Sequence, residues 1–153
     1  MQPAQLQDYL HAQIPLSRAM GVRVAAADLE EVVLQAPLAP NVNHRETAFG
    51  GSVASLALLA GWSLLTLRLA AAKRSARLVI QRNDLEYLKP IPADFCARAR
   101  LAHPERWGAF LGLLARRGRA RIAVAATLEC AGESCARFAG DFVALAAAAP
   151  AAL

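Results

Sequence analysis

Asn41-Val42-Asn43-His44-Arg45-Glu46-Thr47-Ala48-Phe49-Gly50-Gly51-Ser52 runs without interruption into residues 53–72, where Arg68 is the single charged residue. The first part is rich in turn formers and hydrogen-bonding side chains. The second is apolar around every side of a helix, and such a helix has to be surrounded, either by the rest of a protein or by lipid. Its length is close to that of a bilayer crossing. However, Ser55, Gly61, Ser63 and Thr66 interrupt the run, and the amphipathic strands that follow need an apolar surface to pack on. The stretch is therefore read as a buried helix with a sheet wrapped round it, and not as a membrane span.

Towards the N-terminus, Gln5 to Met20 carries Leu6, Tyr9, Leu10 and Ile14 at helical spacing, and Pro15 breaks the pattern into two short helices. Gly21 ends them. Val22 to Ala27 and Val32 to Ala36 then read as two strands turned around Asp28 to Glu31. Pro37, Pro40, Asn41 and Asn43 mark the loop that leads into Gly50-Gly51. On the other side, the long helix is expected to end near Lys73. Leu78 to Leu88 and Phe95 to Leu101 read as strands joined through Lys89 to Asp94, and Pro104 to Arg116 as a shorter helix opened by Pro and closed by Gly118. Arg119 to Cys130 and Ser134 to Leu145 are the last strands, turned at Ala131-Gly132-Glu133, and the tail from Ala146 to Leu153 is too simple to specify structure. The predicted class is α+β: an antiparallel β-sheet wrapped around one long central helix, in a single domain spanning 1–153 with its core at about 15–145. A sheet face this apolar calls for covering, and a second copy of the chain would supply it.

The bulk composition narrows the function. Seventeen Lys and Arg against twelve Asp and Glu give a net charge of +5, which favours acidic partners. Nucleic acid is not the partner expected, because aromatics are few and no helix-turn-helix, zinc-finger or RNA-binding signature interleaves them with the basic residues. Phosphorylated carriers, coenzyme A or acyl carrier protein, suit the charge equally well. Arg116, Arg117, Arg119, Arg121 and Arg137 are candidates for contacting their phosphates or an acidic carrier helix, with ordinary solvated element ends as the rival reading. Cys96, Cys130 and Cys135 are too few for a disulfide framework and lack metal-ligand spacing, which fits reduced core residues in the cytoplasm. Met1 to Leu10 has no basic start and no apolar run, so no signal peptide is read there.

The chemistry concentrates where the polar stretch meets the helix. Amide N–H groups in the first turn have no partner within a helix and carry partial positive charge, so they can hold an anion or a developing oxyanion. Gly50 and Gly51 would let a substrate carbonyl approach the backbone. Ser52 reads as a helix cap and less readily as a nucleophile, since no His–acid pair is evident to activate it. Asn41 and Asn43 can equally build turns by bonding their own backbone. His44 is the one His near the entrance, and Phe49 and Trp62 can be core or substrate wall.

This constellation resembles the hotdog thioesterase superfamily, and most closely its YiiD C-terminal-type domains. The resemblance rests on the Asn-rich loop, the Thr47-Ala48-Phe49-Gly50-Gly51-Ser52 entrance and Trp62 in the helix. Asp84-Leu85-Glu86-Tyr87-Leu88-Lys89-Pro90, Gly118-Arg119-Ala120-Arg121 and Phe138-Ala139-Gly140-Asp141-Phe142 extend it over residues 15–145. It implies a hotdog fold, dimeric or a dimer of dimers, with no cofactor of its own. The thioester, on the phosphopantetheine of an acyl carrier protein or of coenzyme A, would lie in a tunnel at the subunit interface with its carbonyl at the helix entrance. In relatives with a His-Gly-Gly entrance, an Asn or Gln lies six residues before that His and a carboxylate about two turns into the helix. Asn43 matches the first position, Phe49 replaces the His, and Leu58 stands where the carboxylate would be.

That departure separates two reactions. Hydrolysis requires a group that activates water or attacks the carbonyl, help worth roughly a hundredfold to ten-thousandfold. Decarboxylation of a malonyl thioester requires mainly that the enolate be stabilised, and one placed donor supplies about 2.7–4 kcal/mol of that. The residues expected to act are Asn43 and the Gly51 or Ser52 N–H, with His44, Thr47, Phe49, Gly50, Trp62, Asp84 and Tyr87 around the substrate. The expected function is malonyl-acyl carrier protein decarboxylation. The alternatives are a thioesterase whose base comes from Asp84, His44 or bound water, and a carrier-binding module without chemistry.

Overall fold

A computed structural model describes residues 1–147, so the Ala-rich tail from residue 148 onward lies outside the described residues. Two helices open the chain, α1 (Pro3–Gln13) and α2 (Pro15–Ala19), with Pro15 at the first position of α2, where its missing N–H costs nothing. Strands β1 (Arg23–Ala27) and β2 (Glu31–Ala36) follow as a hairpin. The Asp28 carboxylate accepts the Glu30 and Glu31 N–H groups at 2.7 and 2.8 Å, and these bonds hold its pKa below the usual value, with the Glu31 amide first. Then come α3 (Gly50–Ala71), β3 (Ala76–Tyr87), β4 (Phe95–Leu101), α4 (Trp107–Arg117), β5 (Arg119–Cys130) and β6 (Glu133–Ala146). A single 3₁₀ turn, Pro104–Arg106, precedes α4 where the sequence predicts continuous helix.

The six strands form one antiparallel sheet in the order β1-β2-β4-β5-β6-β3, curled around α3. Strict alternation puts Phe95, Ala97, Ala99 and Leu101 of β4 and Ala120, Ile122, Val124, Ala126 and Leu128 of β5 on the concave side, all buried. Against them α3 buries Leu56, Ala57, Ala60, Leu64 and Leu65 completely. Each such leucine contributes about 1.5–3 kcal/mol. Helix and sheet approach closely at Gly61, where an added Cβ would sit 3.1 Å from the Phe142 ring and 3.2 Å from Val124. Leu6 and Leu10 of α1 are also fully buried, so the packed core extends ahead of residue 15.

Arg68 explains how a charge is tolerated in this helix. Its guanidinium lies 4.4 Å from the centre of the Trp107 ring and donates to the Leu29 carbonyl, tying α3 to α4 and to the tip of the β1–β2 hairpin. Burial lowers its pKa, with Glu30 opposing.

The two edges of the sheet differ. Along β1, α1 supplies side-chain partners: Gln7 Oε1 accepts the Val24 N–H at 3.0 Å, and His11 Nε2 bonds the Val22 carbonyl at 2.8 Å. β3 has β6 on one side and, among the described residues, no strand on the other, and most of it is exposed, Val79 at 48% and Ile80 at 38%. Its register against β6 slips between Ile80 and Arg82, so Gln81 is an extra, bulged residue.

Candidate active site

The entrance loop is fixed at both ends by its own sequence. Asn41 is buried, and its Nδ2 donates to the Met20 and Pro37 carbonyls at 2.8 Å each. The Phe49 N–H donates back to the Asn41 carbonyl at 2.7 Å, and Ala48 donates to Ile91 at 2.8 Å. Between these anchors Val42 and Ala48 form a single antiparallel bridge. Asn41 is therefore a framework residue that hangs the loop on the rest of the fold.

Asn43 organises the tip. Its Oδ1 accepts the Arg45 and Thr47 N–H groups at 2.8 and 3.2 Å, while its Nδ2 donates to Thr47 Oγ1 at 2.9 Å and reaches the Ala48 carbonyl at 3.5 Å. The turn this creates places Glu46 at a φ of 62°, and the Asn43 N–H closes it onto the Thr47 carbonyl at 2.8 Å. Thr47 thus meets Asn43 directly. One amide proton of Asn43 is held firmly by Thr47; the other makes only the long contact to Ala48. His44 sits exposed on the same tip.

At the helix entrance, Phe49 is the extended N-cap residue and no side chain caps α3; Ser52, at the third helical position, does not perform the capping its type suggests. The first intrahelical bond runs from the Val53 N–H to the Phe49 carbonyl at 3.1 Å. This leaves the Gly50, Gly51 and Ser52 amides as the unpaired donors of the first turn. Two aromatic rings flank them. The Phe49 ring folds over Gly51 so closely that a Cβ there would come within 2.4 Å of it, and the Tyr87 hydroxyl donates to the Gly50 carbonyl at 2.8 Å with its ring packed on the bare Cα. A Cβ at Gly51 would force the exposed Phe49 ring to move, whereas one at Gly50 would rest in ordinary contact with Tyr87 at 3.4 Å.

Beyond the first turn an apolar hollow of about 240 Å³ opens along α3, lined by Ser55, Leu58, Leu59 and Trp62 on the helix and by Ile14, Leu16, Ile80 and Phe142 around it. It adjoins a larger hollow of about 720 Å³ that shares Ile14 and Trp62 and continues past Thr66, Leu69 and Leu78. Trp62 is half-buried, stacked on Tyr9 at 5.9 Å. Leu58 belongs to this wall. Ile14, Leu16 and Ile80 do as well and are not legible as site residues in the sequence; the break at Ile14-Pro15-Leu16 is where the half-buried Ile14 and the exposed Leu16 turn back towards the helix.

Asp84 does not join the group within the chain. It stands opposite Ala139, an exposed residue, whereas Leu85 stands opposite the buried Phe138. Directly opposed residues share a face, so Asp84 faces away from α3, as do Glu86, Glu129 and Asp141 by the same register. Asn83, opposite the buried Gly140, and Tyr87, opposite Ala136, are the polar residues of β3 beyond the bulge that share the concave side. A polar hollow of about 350 Å³ around Arg23, Gln35, Cys96 and Glu129 lies on the far side of the sheet from α3. Burial pushes the Cys96 thiol pKa up, with the Glu129 carboxylate adding to the effect. Among the described residues no three His, Cys, Asp or Glu side chains gather as a metal site.

What the entrance can do chemically follows from this inventory. It offers uncapped amides, an amide side chain with one loosely held proton, two aromatic walls and an apolar channel, which suits a carbonyl oxygen gaining negative charge at the head of an acyl chain or linker. Known proteins agree with the architecture. Residues 3–146 match the family described as putative thioesterase, yiiD C-terminal type. A solved structure from Chlorobaculum tepidum, of a protein with unknown function, is 25% identical with a TM-score of 0.89, covering 95% of this chain and 94% of that one. A "putative thioesterase" from Shewanella oneidensis is 27% identical with a TM-score of 0.84, covering 94% and 96%. A thioesterase from Haemophilus influenzae, 12% identical, shares the fold over 99% and 96% of the two chains with a TM-score of 0.79. The helix wrapped by a six-stranded antiparallel sheet is the hotdog fold, and the chain belongs to the yiiD C-terminal-type thioesterase family.

Proposed function

We propose that the chain decarboxylates a malonyl group carried as a thioester on phosphopantetheine, on an acyl carrier protein, and so yields the acetyl thioester that primes fatty-acid synthesis. The observation that carries this reading is the pairing of an uncapped α3 entrance with a helix that has no carboxylate from Gly50 to Ala71. The thioester oxygen takes the place of the missing cap, near the Gly51 and Ser52 amides, and the loosely held Asn43 proton turns from the Ala48 carbonyl to it. The bond between the malonyl carboxylate and Cα breaks, carbon dioxide leaves, and the electron pair moves through Cα into the carbonyl to give an enolate. A proton taken up at Cα restores the thioester. No water has to be activated, so the absence of an acid on α3 costs this reaction little. The reading takes the protein as a homodimer joined through the open edge of β3, with the channel closed by the second copy.

Incubation of the purified protein with malonyl-carrier and with saturated acyl-carriers, followed by mass analysis, tests it. Loss of carbon dioxide with the thioester intact is expected. Free carrier thiol would assign hydrolysis, the activity in the family's description, and unchanged substrates would leave a binding module. Asn43→Asp keeps both acceptor bonds of the loop tip and removes the donor, so it should lower kcat by about a hundredfold with little change in melting temperature. A near-normal kcat would remove Asn43 from the mechanism.

A further inference from the structure

Six arginines, Arg74, Arg77, Arg116, Arg117, Arg119 and Arg121, are brought to one end of the molecule, and all are exposed. Leu145 of β6 stands opposite Arg77 on one side and Arg119 on the other. The two arginines therefore straddle one strand on the face away from α3, about 10 Å apart at ordinary strand spacing. Arg121 follows on the same face of β5. α4 delivers Arg116 and Arg117 in its last turn, and Gly118, at a φ of 67°, turns directly into β5. The Ala146 N–H donates to the Gly118 carbonyl at 2.8 Å and the Ala147 N–H to the Ser75 carbonyl at 3.4 Å, so the turn carrying Arg74 meets the end of α4 there.

Elsewhere on this face Arg98 and Arg100 pair with Glu31, Arg98 also with Glu129, and Arg82 and Arg137 stand singly across from Asp141 and Glu86. Among the described residues no carboxylate forms an ion pair with any of the six. Arg137 is not part of the group, for it stands opposite Glu86 further along the sheet. Six like charges held together without partners repel one another, and an incoming anionic surface relieves that repulsion.

We infer that this cluster docks the acidic face of a carrier protein and serves the α3 entrance of the second copy, not of its own chain; the inference rests on the carrier-thioester and dimer reading above. The charges spread across two strands and two helix ends, which fits a carrier helix better than the compact phosphates of a nucleotide. The hollow that touches Arg121 also contains Asp141, which opposes a phosphate. Antiparallel pairing of β3 with its copy about the strand midpoint brings Ala76 and Arg77 of one protomer beside the partner's Tyr87, hence beside the partner's helix entrance.

The test is a titration of fluorescent holo-carrier, bearing malonyl-phosphopantetheine, against wild type and the triple variant R116E/R117E/R119E. Carrier Kd should rise more than tenfold while malonyl-coenzyme A binding changes less than twofold, and Arg137→Glu should leave both unchanged. Unaltered carrier binding overturns the inference. A parallel loss of coenzyme A binding also overturns it and assigns the cluster to nucleotide phosphates. If wild type fails to decarboxylate yet carrier binding falls as stated, docking stands and the proposed reaction falls. Doubly tagged heterodimers pairing one Asn43→Asp protomer with one triple-variant protomer read the geometry. Service between copies predicts about half of wild-type turnover, whereas near-zero turnover overturns that part.

Discussion

The two edges of one sheet are treated in opposite ways. β1 is short, and α1 closes its free side with Gln7 and His11, whereas β3 is more than twice as long and leaves its free side open with Val79 and Ile80 exposed. Unpaired strand edges are templates for pairing, and proteins usually blunt them. This chain finishes one edge with its own N-terminal helix and, among the described residues, leaves the other without a strand, which is why the proposed dimer is placed there. The candidate site lies at the bare edge: Tyr87 touches the α3 entrance, and Ile80 lines the channel.

The largest effect is expected from breaking the open edge. Gln81 is the bulged residue without a Cα partner in β6, the kind of position where a strand tolerates proline best, and Gln81→Pro obstructs pairing on the other side. Light scattering should show the mass halved, and turnover should fall at least as far as the roughly hundredfold loss of one oxyanion donor. A dimer of unchanged mass would dissociate β3 from assembly. Damage to the closed edge should be milder and confined to stability. Gln7→Ala and His11→Ala each remove one hydrogen bond, about 1 kcal/mol, which lowers the melting temperature by a few degrees for a chain this size and leaves the mass unchanged. The smallest effect concerns the β1–β2 turn. Because the folded-state pKa of Asp28 is lowered, its contribution is present above the ordinary carboxylate value and is lost as pH falls through the depressed one. Melting curves of wild type and Asp28→Asn should differ slightly at neutral pH, begin to converge below about pH 4 and meet only below the depressed folded-state value.

Much of this fold is legible in the sequence because local chemistry and alternation agree. Phe95–Leu101 and Arg119–Cys130 are strands with the bounds that their patterning suggests, and Gly118 and Pro15 act where their backbone preferences place them. The apolar run at α3 is buried by its sheet, with Leu56, Leu64 and Leu65 inaccessible. The site is less legible, for a specific reason. Plain alternation from Ile80 would put Arg82 and Asp84 on the concave side, but the extra residue at Gln81 shifts the phase, so that Asn83, Leu85 and Tyr87 face inward instead. A one-residue irregularity carries no composition signal. Ser52 shows a second limit: its type favours capping, yet the tertiary placement of Phe49 leaves the amides open. Asn41 and Asn43 show a third, since two chemically identical side chains, two residues apart, differ because one is enclosed by Met20 and Pro37 and the other shapes an exposed tip.

The kink in β3 also bears on which strands the bare edge will accept. It divides the free side into two short segments, Ala76–Ile80 and Arg82–Tyr87, that are out of step with each other. A foreign, regular strand would match one segment and then lose alignment. A copy of the same strand, turned end for end, would carry the identical defect near its centre and keep alignment, so in the proposed dimer the irregularity would favour self over a foreign strand.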